Sequence, residues 1–171
     1  MEKSKTKRIV LAALFAAMTT VATMVLHIPT PGTSGYIHPG DALVVLSGIL
    51  LGPVYGGLAA GLGSAFADLL SGYMLYVPIT FIVKGIIAVV CSLVYHRLLK
   101  NVTSIIAKGI ITGCFSTVIV AGGYCFFELF IYGKAALLSV PANLIQGLSG
   151  LVIATLLLPI FKRTNEFKSI L

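Results

Sequence analysis

Residues 50–57 read LLGPVYGG, set inside an apolar run that otherwise continues from 41 to 70. Pro53 has no amide hydrogen and its ring clashes with the preceding turn, so a helix cannot pass through it undisturbed. Gly52, Gly56 and Gly57 beside it permit a tight reversal of the chain. The run therefore reads as two short helices, 41–52 and 54–70, and not as one very long one. Worked outward from this break with a window of about 20 residues, the chain divides into six apolar stretches: 8–26, 41–52, 54–70, 78–99, 105–130 and 139–161.

Composition says which solvent these stretches face. The chain has 171 residues, of which 58% are hydrophobic and 10% charged, and no tryptophan; its mean hydropathy is +1.05. A soluble domain of this size could not hide so much apolar surface, so most of it is expected to face lipid. In lipid the backbone must satisfy its own hydrogen bonds, which leaves helices or closed barrels. The runs are too long and too little alternating for barrel strands. The expected class is an all-α integral membrane protein, a single domain of six transmembrane helices over 1–171.

The basic start MEKSKTKR followed by apolar Ile9 to Leu26 also fits a secretory signal. It lacks an A-x-A cleavage pattern and further spans follow, so it reads as the first membrane helix.

An even number of spans puts both termini on one side, and the basic residues indicate which. Lys3, Lys5, Lys7 and Arg8 precede the first span, Arg97, Lys100 and Lys108 surround the fourth turn, and Lys162, Arg163 and Lys168 follow the last. That face is expected to be cytoplasmic. The net charge of +7 then reports topology in a multi-pass membrane protein, which the family resemblance named below places in a prokaryotic plasma membrane, and no nucleic-acid partner is needed to explain it.

Several function classes are disfavoured. There is no G-x-x-x-x-G-K-[ST] phosphate loop, so no intrinsic nucleotide hydrolysis is expected. His27, His38 and His96 are scattered, which argues against a histidine metal site. Cys91, Cys114 and Cys125 stand singly in apolar segments and read as packing residues. No enzyme activity, metal or cofactor is expected.

Small residues mark helix contacts. Gly48, Gly52 and Gly56 recur at four-residue intervals, as do Gly57 and Gly61, a spacing that lets helix backbones approach where burial from water gives no drive. Ala12 with Ala16, and Ala13 with Ala17, form a smooth stripe on the first span.

Polar residues at membrane depth are costly and each is a functional candidate. Counted from the outer ends of their spans, Lys84 lies about 9 Å deep, Asn143 about 6 Å and Gln146 about 10 Å. Glu128, Asp68 and Asp41 fall near the outer rim. Two readings stand for this layer. Either it is structural, with Lys84 and Glu128 as a buried ion pair and the amides bridging helices, or it lines an outward-opening pocket for a small polar molecule. In the second, Tyr36, Tyr73, Tyr76 and Tyr124 would stack on a ring and hydrogen-bond through their hydroxyls. The loop GYIHPGDAL (35–43) lies above this layer. Tyr36 and His38 read as lip residues, and Asp41 as a carboxylate placed on the dipole of the helix it begins.

Five segments taken together resemble a known family: GYIHPGDA (35–42), LGPVYGGLAAGLGSAFADLLSGY (51–73), PITFIVKG (78–85), GGYCFFE (122–128) and PANLIQG (141–147). In this order they resemble the substrate-binding S component of energy-coupling factor (ECF) vitamin transporters. The resemblance implies a six-helix vitamin-capture subunit that docks on one transmembrane coupling protein and two ATPases, with toppling of the whole subunit as the transport step. It implies a coupling interface at Ala12, Ala13, Ala16 and Ala17, and a pocket at Tyr36, His38, Lys84, Glu128, Asn143 and Gln146. His38-Pro39 departs from the pattern of close relatives. The sub-family it most resembles handles vitamin B6 or thiamine-precursor pyrimidines, with riboflavin or pantothenate as other substrates. A stand-alone proton-coupled carrier using Glu128 or Asp68 is the alternative from another class.

Overall fold

A computed structural model describes residues 2–164. Lys168, expected on the basic face, lies outside the described residues, as do the side chains of Lys3 and Lys162. The order of elements is α1 (Glu2–Val25), a two-residue antiparallel pair β1 (Ile28–Pro29) and β2 (Tyr36–Ile37), α2 (Asp41–Leu70), α3 (Tyr76–Leu93) running into a π-turn (Val94–Leu98), α4 (Ile105–Tyr132), a 3-10 segment (Gly133–Ser139) and α5 (Val140–Arg163). Among the described residues the regular structure is thus helical apart from the small pair, in which Ile28 lies opposite Ile37.

Among the described residues, four helical stretches are long and apolar enough to cross a membrane: Lys5–Val25, Asp41–Leu70, Tyr76–Leu98 and Ile105–Phe161. Their outward faces are aliphatic and aromatic, with Val10, Val21, Val54, Val118, Phe130 and Leu156 each more than half exposed. So wide an apolar surface suits lipid and not water.

Two of these stretches are internally broken. The last contains the 3-10 segment, and α2 breaks at Gly52, whose φ of 82° and ψ of 178° lie outside the helical region. A side chain there would be strained, so glycine is required by conformation. The arms 41–51 and 53–70, here α2a and α2b, fold back on each other. A Cβ on Gly56 would stand 2.4 Å from the Ser47 carbonyl oxygen, whereas in one continuous helix residues 47 and 56 would be about 13 Å apart along the axis. The expected break at LLGPVYGG is therefore a sharp reversal.

Two side chains satisfy the carbonyls around it. Without an amide hydrogen, Pro53 leaves the Ile49 carbonyl without its usual helical donor. His96 Nε2, presented by the π-turn, donates to that oxygen at 2.8 Å. Ser47 Oγ lies 2.8 Å from the Val44 carbonyl and 3.2 Å from that of Gly56.

The glycine pattern divides by role. A Cβ on Gly48 would fall 2.1 Å from the Ala88 carbonyl oxygen and one on Gly61 2.9 Å from that of Phe81, so these glycines bring α2a and α2b against α3, as the four-residue spacing predicts. Gly52 has nothing within 4 Å of a Cβ; it serves the turn and not the packing.

On α1, Ala12 and Ala16 pack partly buried against the core, while Ala13 and Ala17 are exposed. The Ala16 carbonyl abuts Gly63, and Thr20 Oγ1 donates to the Gly63 carbonyl at 2.7 Å. The stripe thus splits into an inward pair that holds α2b and an outward pair that is free to meet another surface.

Candidate substrate-binding site

The polar residues collect at the end of the bundle that carries β1 and β2, in two adjoining arrangements. The first is centred on Asp41, fully buried in the first turn of α2a. Lys84 of α3 makes an ion pair with Asp41 Oδ1, and Gln146 Nε2 of α5 donates to Oδ2 at 3.0 Å. Gln146 Oε1 accepts from the His38 amide at 3.2 Å, and Lys84 Nζ sits 5.2 Å from the centroid of the Tyr124 ring. This node ties α2a, α3, α5 and the loop together. It also corrects one expectation and extends another. Lys84 pairs with Asp41 and not with Glu128; Asp41 does stand in the first turn of the helix it begins, as expected, but it makes no side-chain cap hydrogen bond there and acts as a hub. Gly150 of α5 comes close enough that a Cβ would lie 2.8 Å from that of Asp41, so α5 closes over the carboxylate and keeps it from the rim.

The second arrangement surrounds a cavity of about 20 Å³, room for roughly one water. Its lining includes Tyr36 and His38 from the loop, Asp68 from the end of α2b, Tyr76 and Thr80 from the start of α3, Tyr124 and Glu128 from the end of α4, and Asn143 from α5. Tyr36 OH donates to Asp68 Oδ1 at 2.6 Å, and Tyr76 OH to Glu128 Oε1 at 2.8 Å. Ser139 Oγ donates to Glu128 Oε2 at 2.5 Å and receives a long bond of 3.4 Å from Asn143 Nδ2. The hydroxyls of Thr80 and Tyr124 are 3.0 Å apart. Over this chamber the loop lays an aromatic layer: the Tyr36 ring packs edge-on against His27 at 4.1 Å and tilted against Tyr73 at 4.5 Å.

Burial sets the protonation of the two loop residues. His38 is held down to about 3, first by loss of water and then by the nearby Lys84 charge, so it is neutral. Its Nδ1 accepts from the Gly40 amide at 3.1 Å, which leaves the proton on Nε2. Tyr36 is pushed well above the ordinary phenol range, first by burial and then by the negative charge of Asp68; it stays a donor.

Of the residues expected to line a pocket, Tyr36, His38, Glu128 and Asn143 do line the cavity, while Lys84 and Gln146 are engaged with Asp41 behind it. Asp68, Thr30 and Thr80 line it too; the sequence places Asp68 in the polar layer but not among the pocket residues, and it gives no sign of Thr30 or Thr80. The signal for Asp68 was present, since a carboxylate ending a membrane helix sits at the same depth as Glu128. Its partner Tyr36 is distant in sequence, and only the fold brings the two together.

Helices with an apolar outer face around a small buried polar chamber suit an integral membrane protein. Comparison with known proteins gives its family. Residues 3–163 match the family of ECF-type riboflavin transporter S components, and the chain belongs to that family, one of transporter subunits and not of enzymes. It is similar to an uncharacterized protein of Pyrococcus woesei, with 31% identity over 135 residues covering 78% of this chain and 87% of that protein. It is also similar to the thiamine precursor transporter HmpT of Lactococcus lactis subsp. cremoris, strain MG1363, with 24% identity over 167 residues, 96% of this chain and 93% of that one.

Proposed function

We propose that this protein is the specificity subunit of an ATP-driven ECF importer, and that it captures a small single-ring vitamin or precursor of the hydroxymethylpyrimidine or vitamin B6 type. The observation that carries the substrate size is the cavity. At about 20 Å³ it must enlarge for any ligand, and one ring demands far less displacement of Tyr36, Tyr76 and Tyr124 than the three fused rings of riboflavin. Tyrosine faces for a ring and hydroxyl, amide and carboxylate groups for its substituents suit such a compound. The similarity to a thiamine precursor transporter supports the same choice.

In this reading the two arms of α2 and the helices α4 and α5 are separate crossings, which with α1 and α3 makes six. Both termini then lie in the cytoplasm, with Lys5, Lys7, Arg8, Arg97, Lys100, Lys108 and Arg163, in agreement with the positive-inside rule. The chamber opens outward. Energy comes from a coupling protein and two ATPases, and the exposed Ala13 and Ala17 form the docking surface, with Ala12 and Ala16 supporting it from behind.

Purified protein is expected to bind hydroxymethylpyrimidine or pyridoxine without nucleotide, raising its melting temperature in detergent. No stabilisation by either compound, with stabilisation by riboflavin or pantothenate, would replace the substrate assignment. Uptake in cells should require co-expressed ATPases. Uptake by liposomes holding this chain alone under a pH gradient, lost in Glu128→Gln, would instead establish the proton-coupled carrier. Ala13→Leu is expected to leave binding unchanged while uptake by the assembled transporter falls several-fold; full uptake in that variant removes the docking role.

A further inference from the structure

The two arrangements differ in charge. Asp41, Asp68 and Glu128 are all buried, at 0%, 4% and 2% exposure, and the cation among them, Lys84, is committed to Asp41. None of the described residues lining the cavity is a lysine or arginine, and His38 there is neutral. The chamber therefore presents two carboxyl groups without a basic side chain. Glu128 has neutral donors on both oxygens, Tyr76 on one and Ser139 on the other. Asp68 accepts on Oδ1 from Tyr36. Its Oδ2 is buried and meets no donor in hydrogen-bond geometry among the described residues; the Thr80 hydroxyl, which interacts with this carboxylate, is shared with the Tyr124 hydroxyl at 3.0 Å. A carboxylate oxygen shut away from water without a donor is costly. It is tolerated where a ligand supplies the missing partner.

We propose that Asp68 is the charge-reading residue of the chamber, its free Oδ2 receiving a protonated ring nitrogen or an amino group of the ligand, so that the site selects basic nitrogen heterocycles over neutral and anionic vitamins. This rests on the proposed single-ring substrate and deepens it. Three features of the chamber agree with it. Tyr36, held as a donor, fixes Oδ1 and so orients Oδ2. Tyr76 and Tyr124 line the chamber as aromatic neighbours for a flat ring. Glu128, with a donor on each oxygen, needs no contact of its own from the ligand.

The test uses the full-length protein in detergent, with binding measured by calorimetry. The probes are hydroxymethylpyrimidine, pyridoxine, hydroxybenzyl alcohol as a ring of similar size with no nitrogen, and pantothenate as an anion. The wild type is expected to bind at least one of the nitrogen heterocycles ten-fold or more tightly than hydroxybenzyl alcohol, and pantothenate not measurably. Asp68→Asn, which keeps the shape and removes the charge, should weaken that heterocycle ten-fold or more and leave hydroxybenzyl alcohol within two-fold; Asp68→Glu should recover part of the loss. Equal binding of the heterocycle by the wild type and Asp68→Asn would overturn the charge-reading role while leaving the substrate assignment standing. Binding of none of the single-ring compounds by the wild type would overturn that assignment itself. Should Asp68→Asn not fold, the wild-type ratio of heterocycle to hydroxybenzyl alcohol decides: a ratio near one sinks the proposal.

Discussion

Asp41 and Asp68 stand at the two ends of one interrupted helix, and the chain treats them in opposite ways. Asp41 has every need met inside the protein: an ammonium on one oxygen, an amide on the other, and α5 packed over it. Asp68, a residue that lines the chamber, has one oxygen held by Tyr36 and one buried without a donor in hydrogen-bond geometry among the described residues. The reversal at Gly52 is what makes the contrast possible, because it returns α2b to the level from which α2a started. A satisfied carboxylate locks helices; an unsatisfied one waits for a partner. The difference marks the first as architecture and the second as recognition.

The comparison breaks most visibly at Lys84. Lys84→Met leaves the Asp41 carboxylate buried without its counter-charge and is expected to cost about 3–5 kcal/mol, read as a fall in melting temperature in detergent. Adding Asp41→Asn to Lys84→Met should restore most of it, since the amide keeps its bond with Gln146 and carries no charge. If Lys84→Met melts like the wild type, the node is not what holds α2a, α3 and α5 together. Gln146→Ala removes a partner from both Asp41 and the His38 amide and should cost about 1–3 kcal/mol. Asp68→Asn, by contrast, is expected to leave the melting temperature of the ligand-free protein unchanged or slightly raised.

The broad outline of this contrast is legible in the sequence, and the assignments within it are not. Pro53 between glycines announces the break, because proline removes a donor wherever it stands. The membrane setting follows from composition alone. The shared depth of Lys84, Glu128, Asn143 and Gln146 follows from helix rise and span limits. Pairing does not follow from depth. Lys84 has three carboxylates within reach at the same level, and helix rotation, fixed by close approaches such as Gly48 on Ala88 and Gly150 on Asp41, decides that Asp41 receives it. The same limit hides the split of the alanine stripe, since four alanines in two overlapping pairs look equivalent until Gly63 takes the Ala16 side.

The smallest expected effect sharpens the boundary between the two regions, where His38 touches both. Its amide is held by Gln146 of the lock, and its ring lines the chamber. Native His38 is neutral with a pKa of about 3, against 6.5 for an unburied imidazole. The sign follows from which state takes up the proton. Above pH 6.5 both folded and unfolded forms are neutral and the stability is fully present; as pH falls below 6.5 the unfolded chain gains a proton that the native state refuses, and stability is lost. Between pH 6.5 and about 5.5 the loss from this group amounts to about 1 kcal/mol. His38→Gln keeps a side-chain acceptor for the Gly40 amide but does not titrate, so its melting temperature should change less over that interval than that of the wild type, by the equivalent of this amount. Parallel pH profiles in the two proteins would mean that His38 accepts a proton without cost. The ring would then have to reach water, and the chamber would be open at the loop and not sealed by it.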